Sequence, residues 1–129
     1  MNNGKIKISK YKDMVVIDLH SHERVTREDI HWLSDSLRNK CKKKQNVIAL
    51  ISGSYNLCSS ATQVIAMQKH LIGDAVAFVV QSSCMNINDL YYAQFSYLKG
   101  KNVAYFNELD VAYDWIKQTP VQAEESSTF

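Results

Sequence analysis

Two stretches of this chain are apolar at every position: residues 47–51, VIALI, and residues 75–80, AVAFVV. A strand with one wet face alternates polar and apolar residues, whereas a strand covered on both faces does not. Runs this short, rich in β-branched residues and separated by a helix-length segment, therefore predict inner strands of a parallel sheet with helices packed on it. That requirement constrains the remaining elements more than any other feature.

The first strands read differently. Ile6 and Ile8 alternate with Lys5, Lys7 and Lys10, as an edge strand does, and residues 14–19 form a second strand after a turn at Asp13. The two are expected to pair as an N-terminal hairpin. A first helix begins at Thr26, with Asp29 three residues on as a near capping box and Val25 placed to staple onto Ile30. Its apolar positions Ile30, Leu33, Leu37 and Cys41 recur at helical spacing.

After the third strand, Ser60 with Gln63 repeats the capping logic and opens a helix through Val64, Ile65, Gln68 and Leu71, expected to stop at Gly73. The fourth strand, 75–80, leads to a third helix that starts near Asn86 or Asn88 and ends at Gly100. Residues 103–106 make a fifth strand. Asn107 is expected to cap a last helix, with Phe106 stapling onto Val111 and a buried face of Leu109, Ala112, Trp115 and Ile116. The expectation is an α/β fold: an N-terminal β-hairpin followed by β–α units, with a mixed, mostly parallel five-stranded sheet. Four helices would lie mainly on one face. Residues 1–118 form one domain, and 119–129 a polar tail expected to be disordered.

Bulk properties exclude several classes. The 129 residues are 46% hydrophobic, enough for one core, and the net charge of +2 demands neither nucleic acid nor an anionic membrane. The N-terminus lacks the apolar region of a signal peptide, and no run approaches the ~20 residues of a membrane span. Three unevenly spaced cysteines suit reduced thiols, so a cytoplasmic domain is expected.

The chemistry-bearing residues gather after the third and fourth strands. Ser52, Ser54 and Tyr55, then Cys58, Ser59, Ser60 and Thr62, follow the third strand; Ser82 and Ser83 follow the fourth. In open α/β sheets the carboxyl ends of strands are where ligands bind, so these residues could form one partner or ligand rim. Ser59 and Ser60 stand at an expected helix N-terminus, a position that favours a bound or attached anion. The plainer role for Ser60 is an N-cap. Cys58 there could be an activated thiol, with His20 or His22, expected to emerge at the same sheet end, as its base, although a small buried cysteine is the plainer reading. His20-Ser21-His22-Glu23 could place two imidazoles on one face for a metal, but no third or fourth ligand declares itself elsewhere. No catalytic residue, metal or cofactor is expected. The basic run Lys40–Lys44 sits at a helix C-terminus, where cations offset the macrodipole.

Two segments carry a resemblance. Cys58-Ser59-Ser60-Ala61 stands where anti-sigma-factor antagonists have Asp-Ser-Ser-Gly at a helix start. The ending VAYFNELDVAYDWIK is similar to the strand-and-helix close of STAS-like relatives. The order of elements over residues 5–118 resembles the STAS domain and its STAS/SEC14-like relatives. The resemblance implies a non-catalytic regulatory or protein-interaction module, with Ser59 at the position phosphorylated by a partner kinase. The motif is degenerate, with Cys58 and Ala61 replacing its Asp and Gly. The resemblance implies a protein partner; a homodimer is expected separately, because four helices would cover one sheet face only thinly and leave surface for a second subunit to close. The alternative is a carrier for an anion or lipid-like small ligand, rimmed by the same hydroxyls.

Overall fold

The computed structural model describes residues 2–20, 25–40, 43–52, 64–80, 98 and 100–119. Five strands form one sheet in the order β1-β2-β3-β4-β5: β1 (Ile6–Tyr11), β2 (Met14–Leu19), β3 (Gln45–Ile51), β4 (Ile72–Val80) and β5 (Asn102–Phe106). β1 and β2 are antiparallel, and every later neighbour pair is parallel. The expected hairpin and the mixed, mostly parallel sheet are therefore present. The turn between β1 and β2 places Lys12 at φ 57°, a left-handed conformation, beside Asp13.

The described parts of the connections between parallel strands pack on one face of the sheet. Helix α1 (Arg27–Lys40) contributes Leu33 and Leu37 to that face, beside Val64, Ile65 and Leu98 from the later connections. These meet Ile6, Ile8, Val15, Ile17, Leu19, Val47, Ile51 and Phe78 of the sheet. Burying Leu33 and Leu37, each at most 1% exposed, is worth about 2 kcal/mol apiece. Among the described residues, chain that follows β5 covers the opposite face. Helix α2 (Leu109–Lys117) does so, packing Ala112, Tyr113 and Ile116 against Val16, Ile48, Ala75, Ala77 and Val79. This two-sided cover explains why 47–51 and 75–80 are apolar throughout.

Several local expectations need correction. Three helical stretches occur among the described residues rather than four: α1, α2 and a turn at 64–66. The expected third helix falls mostly outside them, although Gly100 has the positive φ (93°) of a helix-ending glycine and the Lys101 N–H donates to the Leu98 carbonyl. The second helix does not continue through Leu71. Its hydrogen bonds tighten to three-residue spacing at Gln68, Lys69 and Leu71, and β4 begins at Ile72.

Gly73 is thus a strand residue, and its neighbours give the reason for a glycine. A Cβ there would lie 2.4 Å from Asn46 Oδ1 and 3.0 Å from the Asn46 backbone nitrogen. Asn46 is buried beside a register irregularity in β3, where its Oδ1 accepts from the Ala75 N–H at 3.1 Å. Its Nδ2 donates to the Thr119 carbonyl at 2.7 Å, tying the end of α2 to the sheet. Lys101 performs a related task with its ammonium, donating to the carbonyls of Lys69 (3.0 Å), Gly73 (3.0 Å) and Ile72 (3.4 Å).

The last helix also departs from expectation. Its N-cap is Glu108 rather than Asn107, and no side chain caps it. Val111 is exposed, so it is not the staple; the Phe106 ring packs instead against Trp115, with centroids 5.7 Å apart. Tyr113, absent from the expected buried face, is buried.

Candidate functional site

β2, β3 and β4 end in register. Leu19 lies beside Ile51, and Ile51 beside Val80. His20 and Ser52 therefore leave the sheet at the same end, and β4 ends at Val80 on the neighbouring strand, about 4.8 Å further across. The pairing follows from the apolar pattern, since one residue of slip would turn each strand's core side chains to the wrong face.

Ser52 is exposed at this end, and its hydroxyl donates to Asp18 Oδ1 on β2 at 2.8 Å. Both side chains project on the α2 face, continuing the alternation set by Val16 and Ile48. Asp18 is the one charged residue in an otherwise apolar strand, MVVIDL, and it sits one position pair from the strand end. That break in the apolar run is the sequence signal for it, and it was not among the expected rim residues. His20 follows directly after the strand. Its N–H donates to the Lys5 carbonyl, and its Nε2 is buried with no hydrogen-bond partner among the described residues.

Of the expected rim, Ser52 alone falls within the described residues. Ser54, Tyr55, Cys58, Ser60, Thr62, Ser82 and Ser83 lie outside them, as does the expected phosphoacceptor Ser59. His22 and Glu23, weighed with His20 as metal ligands, also lie outside. Among the described residues, no group of three or more His, Cys, Asp or Glu side chains could hold a metal ion. No helix among them is long and apolar enough to cross a membrane.

The chemistry available at Ser52 is hydrogen bonding. Its hydroxyl proton is directed to a carboxylate, which leaves the oxygen lone pairs to accept from a partner, while Asp18 keeps a second oxygen for another donor. The two groups form a small acceptor-rich patch at the strand ends.

A second polar cluster lies where α1 begins. The Thr26 N–H donates to Asp29 Oδ2 at 2.8 Å, and the Asp29 N–H reaches back to Thr26 Oγ1 at 3.4 Å, so the expected capping box is formed. Lys5 Nζ lies 3.0 Å from the same carboxylate, and Asn3 Nδ2 donates to its other oxygen at 3.0 Å. Burial opposes the charge on Asp29, but the bonds from Thr26 and Lys5 outweigh it and hold its pKa below the ordinary carboxylate value. These contacts join the N-terminal segment to α1, so the cluster is architectural.

A third cluster pins α2 to the hairpin. The buried Tyr113 donates its hydroxyl to Asp13 at 2.6 Å, and the Tyr11 hydroxyl donates to Asp110. The two rings meet edge to face at 5.7 Å, and Lys12 Nζ lies 4.7 Å from the Tyr113 centroid. The Tyr113 bond lowers the pKa of Asp13, and the same bond raises that of Tyr113. Nothing in the sequence pairs residues a hundred positions apart, so this cluster was not foreseeable. Comparison with protein-family models, with characterised proteins and with solved structures gave no match to this chain.

Proposed function

We propose that this domain is a non-catalytic regulatory and protein-interaction module of the STAS-like kind. Its partner surface is the carboxyl end of the sheet, from Ser52 through the 54–62 segment, and Ser59 is its modifiable residue. The observation that carries the reading is the Ser52–Asp18 pair at an end where three strands stop in register. A hydrogen-bonding patch on a rigid sheet end suits the polar rim of a protein interface. The order of elements, hairpin first and helix last, supports the same reading. The partner would be a regulator or its kinase; a phosphate on Ser59 would add charge of about −2 and three acceptor oxygens, enough to abolish or create a contact.

The test is intact mass of the protein from its native cells, with fragmentation across residues 52–63 and capture of partners by the wild type, Ser59→Ala and Ser59→Asp. A phosphate on Ser59, with partner capture lost in Ser59→Asp, is the expected result. An unmodified residue, and capture indifferent to both substitutions, would refute Ser59 as the switch. The buried Nε2 of His20 at the same end, without a hydrogen-bond partner among the described residues, favours a second reading, a carrier for a small anion or lipid-like ligand. A co-purifying small molecule in native mass spectra would select it.

A further inference from the structure

The opposite end of the sheet has a different character. Lys43 and Lys44 lead into β3, Lys69 precedes β4, Lys101 precedes β5, and Lys10 and Lys12 stand at the hairpin turn. Both long helices also finish there, at Lys40 and Lys117. All of these except Lys101 are exposed, and none forms an ion pair among the described residues, where the pairs are Lys5–Asp29 and Arg38–Asp35. The described carboxylates toward this end are Asp13, which accepts from Tyr113, Asp110, which accepts from Tyr11, Asp114 near the end of α2, Asp35, paired with Arg38, and the half-buried Asp74. The lysines outnumber them. Glu28, Asp29, Glu108 and Asp18 lie toward the other end. The net charge of +2 thus conceals a local excess of lysines at this end, although Lys5, Lys7 and Arg27 lie toward the other.

Cations at helix C-termini offset the macrodipole, but that effect fades within a turn and needs one charge per helix. Here lysines from separate connections crowd together. Burial lowers the pKa of Lys101, and Lys44 and Lys69 lower it further against the opposing pull of Asp74. Such crowding is relieved by an external anion.

The composition of the surface selects the kind of anion. Among the described residues it holds lysines, and its one guanidinium, Arg38, is paired with Asp35, so it offers mainly point charges rather than the forked donors that read bases. It spans the ends of five strands, about 20 Å at 4.8 Å per strand. Met67, two residues before Lys69, is 55% exposed. An exposed apolar side chain beside lysines is of no use to a phosphodiester backbone but can enter the boundary between lipid headgroups and acyl chains.

We propose that the amino-end face of the sheet docks on an anionic lipid bilayer, with Lys43, Lys44 and Lys69 against the headgroup phosphates and Met67 at the acyl boundary. This surface lies at the opposite end from Ser52 and does not depend on the regulatory reading.

The test is co-sedimentation of the full chain with phosphatidylcholine vesicles with and without phosphatidylglycerol, over a range of salt. Retention is expected only on the phosphatidylglycerol vesicles, weakening as salt rises. The triple substitution K43Q/K44Q/K69Q should weaken it about a hundredfold, at about fivefold per lysine. Met67→Ser should weaken it also in high salt. These side chains are exposed, so unchanged circular dichroism and melting temperature will show that the variants fold. Equal retention on neutral vesicles, or no retention at low salt, would overturn the proposal. Binding to random-sequence duplex DNA with vesicles ignored would overturn it in favour of nucleic acid.

Discussion

The two long helices are held in opposite ways. α1 begins on a box closed between Thr26 and Asp29, three residues apart, and the same carboxylate gathers Lys5 and Asn3 from the adjoining segment. α2 begins at Glu108 with no side-chain cap. Its fixing comes from across the molecule: Asp13 and Tyr11 in the hairpin, and Asn46 in β3. Both helices bury an apolar stripe. The difference is that α1 carries its own start signal, whereas α2 becomes a well-placed helix only against a finished sheet.

The largest effect expected from disturbing this contrast is at Asn46. Asn46→Ala removes the acceptor for the Ala75 N–H and the donor for the Thr119 carbonyl in a site only 4% exposed. Two stranded backbone groups should cost about 3 kcal/mol in urea unfolding. Hydrogen exchange should speed up in α2 and remain unchanged in α1; equal acceleration in both would erase the distinction.

Asp29→Ala comes next and should cost about 1 kcal/mol, confined to the start of α1. It also carries a pH signature. The folded pKa of Asp29 lies below its unfolded value of 3.8, so its stabilisation is fully present above that value and lost as pH falls through the folded pKa. Wild-type stability should therefore fall more steeply below about pH 4 than that of the variant. Parallel acid profiles would show that the carboxylate is not what holds the helix start.

The smallest effect is expected at Lys12→Gly. Relieving a left-handed φ gains about 1 kcal/mol, and losing the cation over Tyr113 costs a similar amount, about 0.5–1 kcal/mol. Stability should change little, as measured by thermal unfolding. A clear loss would mean that the hairpin cation is a principal anchor of α2.

The same contrast explains what could be read from the chain. The strands, their faces and the Thr26–Asp29 box follow from spacing within a few residues, and they stand as expected. Gly73 resembles a helix terminator because the rule for terminators is local; it is a strand glycine because Asn46, 27 positions earlier in the chain, occupies the space a Cβ would need. Asn107 fits a cap by residue type, yet Glu108 occupies that position because the Phe106–Trp115 contact and the hairpin tyrosines set where α2 starts. At the candidate site, Ser52 was legible as a hydroxyl at a strand's carboxyl end. Its bond to Asp18 needed the register between β2 and β3.

The neighbour-by-neighbour strand order has a consequence for how the chain is made. Every strand pairs with the one before it in sequence, so the sheet can grow outward from the hairpin as each segment leaves the ribosome, with no strand waiting for a distant mate. The links from α2 back to residues 11 and 13 can close only after synthesis has passed residues 110 and 113 respectively. Until then the apolar α2 face of the growing sheet is uncovered, and this interval is when the nascent domain is most open to wrong partners.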